Sequence, residues 1–299
     1  MTWHALATYR RDGAPRAAIV VGEAVHDLDT VAARHAPALV GRGVGDLIAD
    51  WAAAAPVVAA LADALAAAPS PGEEVALAAP FVPRRVFGAA SNYIEHAEEM
   101  QTKLTAKAES QPYIFLKTVE SVIGPDETVV IPPQVERPDW EVELGVVIGR
   151  AGRNIAAADA FDHIAGYTIV NDVSARDKTR RTDFPFSHDW FRGKSFDTFT
   201  PIGPWFVPRD CLGDPHDIRL GLTVNDTSMQ DGNTAEMIFD CFEQIAYLST
   251  ILELKPGDLI ATGTPAGVGM GRGVFLKHGD VMTAWVAGIG ALRNPVRAG

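Results

Sequence analysis

The run Arg137-Pro138-Asp139-Trp140-Glu141-Val142-Glu143-Leu144-Gly145-Val146-Val147-Ile148-Gly149 sets two acidic side chains into an otherwise apolar, strand-like segment. In an extended chain, residues two apart share a face, so Glu141 and Glu143 point one way and Val142 and Leu144 the other. Side-by-side carboxylates on an apolar strand repel each other and lose hydration, a cost of several kcal/mol unless a cation or a proton compensates. Two readings meet that cost. One is a solvent-exposed polar face, and the other is a metal site. The choice depends on what else the chain brings to the same place.

At 299 residues the chain suits one large domain, or one large and one small, with a substantial core. A content of 47% hydrophobic and 21% charged residues places it among ordinary soluble globular proteins. The formal net charge of -12 argues against nucleic acid as a partner. Cys211 and Cys241 are far apart, with no C-x-x-C spacing, and read as structural thiols of a reducing compartment. The opening residues M-T-W-H-A-L-A-T-Y-R-R carry no secretory pattern. The most apolar window, 51–69, is interrupted by Pro56 and Asp63 and is too polar to span a bilayer, so no membrane partner and a cytoplasmic location are expected.

Along the chain, residues 3–28 read as short strands turning at Asp12-Gly13 and Gly22-Glu23. Residues 46–68 are Ala-rich and helical in composition, with Pro56 expected to split them into two pieces. Pro69-Ser70-Pro71-Gly72 reads as a linker between a small α+β module, residues 1–74, and a main domain, residues 75–299. Beyond it, many short apolar runs punctuated by Pro and Gly indicate a β-rich α+β fold of the roll or barrel-like type. A helix is expected over 234–254, where Ile238, Phe242, Ile245, Leu248 and Leu252 recur at three and four residues. Two stretches stand apart. Residues 92–110 are rich in Glu and Lys and read as a surface helix or a lid. Residues 176–194 form a long basic and aromatic segment of the kind that often carries function.

Asp172 ends the strand-like run 166–172, and with Glu141 and Glu143 it would complete an all-oxygen site for a hard ion such as Mg, Mn or Ca. Zinc would more often show His or Cys ligands. His96 and Glu99, three apart, share a helix face in the manner of a base and the carboxylate that orients it. Bystanders on a charged helix would look the same. Lys194, after a glycine and amid aromatics, is either a solvated lysine or a cation beside a developing oxyanion. Gly263-Thr264-Pro265-Ala266-Gly267-Val268-Gly269 offers backbone N–H groups and a hydroxyl to a bound carboxylate, and fits neither the phosphate-loop nor the dinucleotide-binding spacing.

Taken in order, N-Y-I-E-H-A-E-E (92–99), F-L-K (115–117), the E-V-E of the opening strand, N-D-V-S-A-R-D (171–177), G-K-S-F-D (193–197) and T-G-T-P-A-G-V-G (262–269) resemble the fumarylacetoacetate hydrolase family from about residue 86 to the end. The resemblance implies a β-rich roll around Mg or Mn held by Glu141, Glu143 and Asp172. It also implies His96 and Glu99 as a water-activating pair on a lid, and Lys194 beside the substrate oxygens. Arg176, Lys117 and Thr264 fall where similar proteins line or support the pocket, with Gly263 beside Thr264. Homodimers are the usual assembly. The activity implied is C–C bond hydrolysis in an acylpyruvate-type β-diketo acid through an enolate. Oxaloacetate-type decarboxylation, hydroxy-dienedioate isomerisation and cleavage of sugar-derived oxo acids are alternatives on the same site. The loop around Arg180, Arg181, His188 and Arg192 is expected to set specificity, its charge favouring a substrate with a second carboxylate. A competing expectation is a filled structural Ca site, with no cavity reached by His96 or Lys194.

Overall fold

The computed structural model of the protein describes residues 1–100 and 105–299. Strands β1 (His4–Arg11), β2 (Ala14–Val21) and β3 (Ala24–Asp27) form an antiparallel meander. Asp12 and Gly13 both take positive φ, 52° and 80°, as a tight hairpin turn with the twist of its strands requires. Helices α1 (Leu28–His35), α2 (Val44–Ala49) and α3 (Trp51–Ala67) follow. The expected split at Pro56 does not occur, because α3 runs through it. Pro56 lies on the exposed side, and the buried stripe Trp51, Ala54, Val58, Leu61, Ala62 and Leu65 keeps its phase across the one lost hydrogen bond. The break falls instead at Asp50, between α2 and α3.

The chain continues through β4 (Leu77–Ala78), β5 (Arg85–Ala90), α4 (Ile94–Glu99), β6 (Tyr113–Lys117), β7 (Val122–Ile123), β8 (Val129–Ile131), β9 (Pro138–Asp139) and β10 (Val142–Ile148). Next come β11 (Ile164–Asn171), β12 (Ser174–Ala175), α5 (Trp190–Lys194), β13 (Thr200–Pro208), α6 (Arg209–Leu212), β14 (Arg219–Val224) and β15 (Thr227–Asn233). Helix α7 (Cys241–Ile251), β16 (Asp258–Ala261), α8 (Gly269–Arg272), β17 (Val281–Val286) and β18 (Gly290–Ala298) complete it. Of the helix expected over 92–110, α4 is the part adjoining the site, and residues 101–104 lie outside the described residues. The helix expected over 234–254 starts later. Asp240 caps α7 by accepting from the N–H groups of Phe242 and Glu243, both at 2.8 Å, while Ile238 is engaged with Asn92.

Eleven strands make one mixed sheet with the spine β3-β2-β1-β13-β11-β10-β16-β5-β6, and β15-β14-β17-β18-β8 make a second. Neither closes into a barrel among the described residues. On β10, Val142, Leu144, Val146 and Ile148 face Leu220, Leu222, Met282 and Ala284 of the second sheet. Val147 turns to the other side, into a core shared with α1–α3. The N-terminal strands extend the same sheet, since β1 pairs with β13 at Leu6 opposite Phe206. No helix among the described residues is long and apolar enough to cross a membrane.

Asp27 ties the N-terminal strands to α1. Its buried carboxylate caps the helix through the Thr30 N–H at 2.9 Å, and also accepts from Tyr9 Oη at 2.7 Å and Arg16 Nε at 2.8 Å. Burial pushes its pKa up, but the bonds from Arg16, Thr30 and Tyr9 outweigh that and hold it well below the usual carboxylate range. A depressed acid stabilises the fold above the unfolded pKa, near pH 4, and that contribution is lost as pH falls through the folded value. Asp27→Ala is expected to lower the unfolding free energy by about 2–3 kcal/mol at pH 7, from the lost cap and charged hydrogen bonds. In urea titrations the deficit should shrink steadily below pH 4.

Candidate metal and oxo-acid site

Glu141 immediately precedes β10 and Glu143 lies one residue inside it, so the pleat turns both away from the Val142–Leu144 core face. Asp172 follows β11, the antiparallel neighbour, with Val142 opposite Asn171. The Asp172 N–H donates to Glu141 O at 2.8 Å, and the Glu141 N–H donates to Asn171 Oδ1 at 3.0 Å. These bonds lock the two strand ends together and bring the third carboxylate to the first two. Ligand oxygens of Glu141, Glu143 and Asp172 all lie within 4.8 Å of one another, and all three residues are buried.

Basic groups compensate part of this charge. Lys194 Nζ donates to Glu141 Oε2 and Asp172 Oδ2, each at 2.6 Å. Lys117, at the end of β6, donates to Asp172 Oδ1 and to Phe199 O at 2.9 Å. Arg176 reaches Glu141 Oε1 at 2.5 Å and Asp139 Oδ2 at 2.7 Å. Burial alone would discharge Lys194, yet Asp172 and Glu141 raise its pKa above the usual lysine value. For Lys117 burial wins and the pKa falls. Burial likewise disfavours the Glu141 carboxylate, but Arg176 and Lys194 hold it well below the usual range.

Glu143 is the exception. It is buried with no ion pair among the described residues, and its polar partner is the Gly263 N–H at 2.8 Å. Burial, with Asp172 and Glu141 alongside, pushes its pKa well above the usual value. A carboxylate in this state calls for a proton or a further cation. The all-oxygen donor set fits a hard divalent ion such as Mg or Mn, with Glu141, Glu143 and Asp172 as its holders.

The cluster opens on a cavity of about 740 Å³ lined by Glu141, Glu143, Lys194, Thr264 and His96. The cavity expected to be missing from a purely structural ion site is therefore present. His96 projects from α4 and is buried, with Nδ1 3.6 Å from Glu99 Oε2, too far for a hydrogen bond. Glu99 is instead held by the Gly267 N–H at 3.0 and 3.2 Å. The expected pair thus lies side by side without a hydrogen bond between its members. Gly263 takes φ +101°, and a Cβ there would stand 2.6 Å from Asn92 Cβ, so glycine permits the segment leading into α4 to pack on the turn. The Thr264 hydroxyl donates to Val142 O and accepts from Gln230 Nε2, both at 2.8 Å, which leaves it acceptor capacity only. Arg176 lines the cavity beside Glu141, while Lys117 holds Asp172 from outside the lining. His188 sits exposed at the cavity rim.

Three supporting residues escaped the sequence reading. Asp139 accepts from Arg176 Nε and from the N–H groups of Trp140, Gly269 and Met270. Its position two before Glu141, in the same alternation, was the available signal. Asn92 ties the segment before α4 to Phe239 and Thr262. Gln230, from the second sheet, joins Val142 to Thr264 and Pro265. Nothing local in the sequence around Gln230 points to that reach.

Residues 85–297 match the Fumarylacetoacetate (FAA) hydrolase C-terminal family. The human mitochondrial oxaloacetate tautomerase FAHD2A is 42% identical over 229 residues, which cover 76% of this chain and 71% of that protein. The 5-carboxymethyl-2-hydroxymuconate delta-isomerase of Mycobacterium smegmatis has a similar structure, with TM-score 0.65, 36% identity, and coverage of 77% of this chain and 83% of that one. The maleylpyruvate hydrolase of Sphingobium sp. SYK-6, solved with manganese (II) and pyruvate, is similar over 98% of this chain and 99% of its own, with TM-score 0.75 and 28% identity. This chain belongs to the fumarylacetoacetate hydrolase family.

Proposed function

We propose that the protein is a divalent-metal-dependent enzyme that interconverts keto and enol forms of an oxaloacetate-like 2-oxo acid. The observation that carries the reading is one buried imidazole, His96, opening on the same cavity as the three-carboxylate cluster and Lys194. The identity with the human oxaloacetate tautomerase supports it. When bound by Glu141, Glu143 and Asp172, a divalent ion supplies a Lewis acid for the carboxylate and oxo oxygens of the substrate. With Nδ1 turned toward Glu99, Nε2 of His96 is the atom that takes a proton from the carbon beside the oxo group. The C–H electron pair moves into the carbon-carbon bond and the carbonyl pair onto oxygen. Lys194, held charged by its two acids, stabilises that oxygen until the proton is returned to it. Burial of the cluster keeps these charges in a weakly screened setting.

Hydrolysis of an acylpyruvate-type β-diketo acid is the second reading, and the proximity of His96 and Glu99 favours it. Closing their gap by less than about 1 Å would make a hydrogen-bonded dyad able to activate water. The likeness to the maleylpyruvate hydrolase supports this alternative.

Following the enol absorbance of oxaloacetate with and without Mn or Mg tests the first reading, and pyruvate release from acylpyruvates tests the second. Chelation should abolish turnover of the wild-type protein. Glu143→Gln is expected to weaken Mn binding, read by titration calorimetry, by at least about 100-fold, since even groups behind a metal's ligands are worth 10- to 100-fold. His96→Gln should retain Mn affinity while turnover falls about 10²- to 10⁴-fold. Full turnover by His96→Gln would remove the imidazole from the reaction.

A further inference from the structure

Two buried lysines serve the acidic cluster, and they differ in what their ammonium groups touch. Lys117 Nζ has three oxygen acceptors, Asp172 Oδ1, Phe199 O at 2.9 Å and Val173 O at 3.3 Å. An ammonium carries three N–H groups, so none is left over. Lys117 does not line the cavity. Lys194 does, and its Nζ has two oxygen acceptors among the described residues, Glu141 Oε2 and Asp172 Oδ2, each at 2.6 Å. Its third N–H has no oxygen partner among those residues. Lys194 is nonetheless buried as deeply as Lys117, with 2% of its surface exposed against 4%.

What Lys194 has in place of a third oxygen is a ring. Its Nζ lies over Phe115, 5.3 Å from the ring centroid, within the range at which the negative face of an aromatic ring attracts a cation. Phe115 and Lys117 are two apart on β6 and share a face of the strand, while Leu116 between them is exposed. The same short run thus sends Lys117 to Asp172 and Phe115 to Lys194. The ring itself is held by its neighbours. On β5, Gly88 stands opposite Phe115, and a Cβ there would lie 2.4 Å from Phe115 Cζ, so the ring crosses the strand where glycine leaves room. Trp190 stacks on the same ring, with centroids 5.1 Å apart and planes 19° apart. Helix α5 therefore presents Trp190 and Lys194, four residues apart, to one phenyl group.

A hydrogen bond to a third protein oxygen would fix Lys194 but use up its last donor. An aromatic face attracts the whole ammonium charge and takes no particular N–H. We propose that Phe115 is a positioning residue, whose ring offsets the missing third oxygen partner of Lys194 and so leaves one N–H available for an anionic oxygen of the bound ligand. The inference rests on the reading of the acidic cluster as the seat of a 2-oxo acid.

The test replaces Phe115 in the full-length protein with mono-, di- and trifluorinated phenylalanine, which keep the shape of the ring while draining negative charge from its face. Phe115→Leu, with no aromatic face, completes the set. Titration calorimetry gives the Mn affinity of each protein and the oxalate affinity of each Mn-loaded protein, oxalate having the adjacent anionic oxygens of an enolised 2-oxo acid. Oxalate affinity should fall about two- to threefold with each fluorine, about tenfold or more across the series, and at least as far in Phe115→Leu, as expected of a desolvated cation–π contact. Mn affinity should stay level along the fluorinated series. Oxalate affinity that is also level would reduce Phe115 to packing and overturn the proposal. So would a Mn affinity that falls in step with that of oxalate, because the ring would then support the acids and not the lysine's donor. Oxalate binding without keto–enol turnover of oxaloacetate would overturn the tautomerase reading alone, with the fluorine series still deciding the role of the ring. Failure of the Mn-loaded wild-type protein to bind oxalate would remove the 2-oxo acid seat and the available N–H with it.

Discussion

Buried carboxylates repel one another and resist leaving water, so a fold that converges Glu141, Glu143 and Asp172 has to bring positive charge to the same point. Much of the architecture around the site follows from that requirement. Lys117 arrives from β6, Lys194 from α5, and Arg176 from the segment after β12, each at hydrogen-bonding range of an acid. They pair with Glu141 and Asp172 but leave Glu143, among the described residues, with a backbone N–H. That imbalance leaves a place for a further cation at Glu143, which a closed salt-bridge network would not.

The turn that satisfies Glu143 also seats α4. Gly263 supplies the N–H to Glu143 and the space beside Asn92, while Gly267, four residues on, supplies the N–H to Glu99. One short turn after β16 therefore serves both the acidic cluster and the helix that carries His96. The acidic cluster thus rests on two strand ends, and the helix that carries His96 packs on a glycine turn. Relatives with this family's domain carry the names tautomerase, isomerase and hydrolase.

Much of the site was legible because its groups lie in short, locally decodable patterns. The i, i+2 spacing of Glu141 and Glu143 and the i, i+3 spacing of His96 and Glu99 each predict a shared face from backbone geometry alone. Where the reading failed, tertiary contacts had overridden a local rule. Pro56 stays inside α3 because the buried stripe continues through it, and the start of α7 is delayed because Ile238 is committed to Asn92. The expected pairing of His96 with Glu99 gives way to a bond from Gly267, a partner far along the chain.

The amino-acid sequence by itself determined the family and the strand that carries two acids, and it put His96 and Glu99 on one helix face, since the last two depend on residue type and on spacings of two or three. Tertiary structure alone decided which charges are spent and which remain. Arg181 and Arg180 are neighbours in sequence, yet one pairs with Asp183 and Asp189 while the other lines the cavity with no ion-pair partner among the described residues. Charge compensation depends on distances of a few ångströms between segments far apart in the chain, and only the folded packing sets those distances.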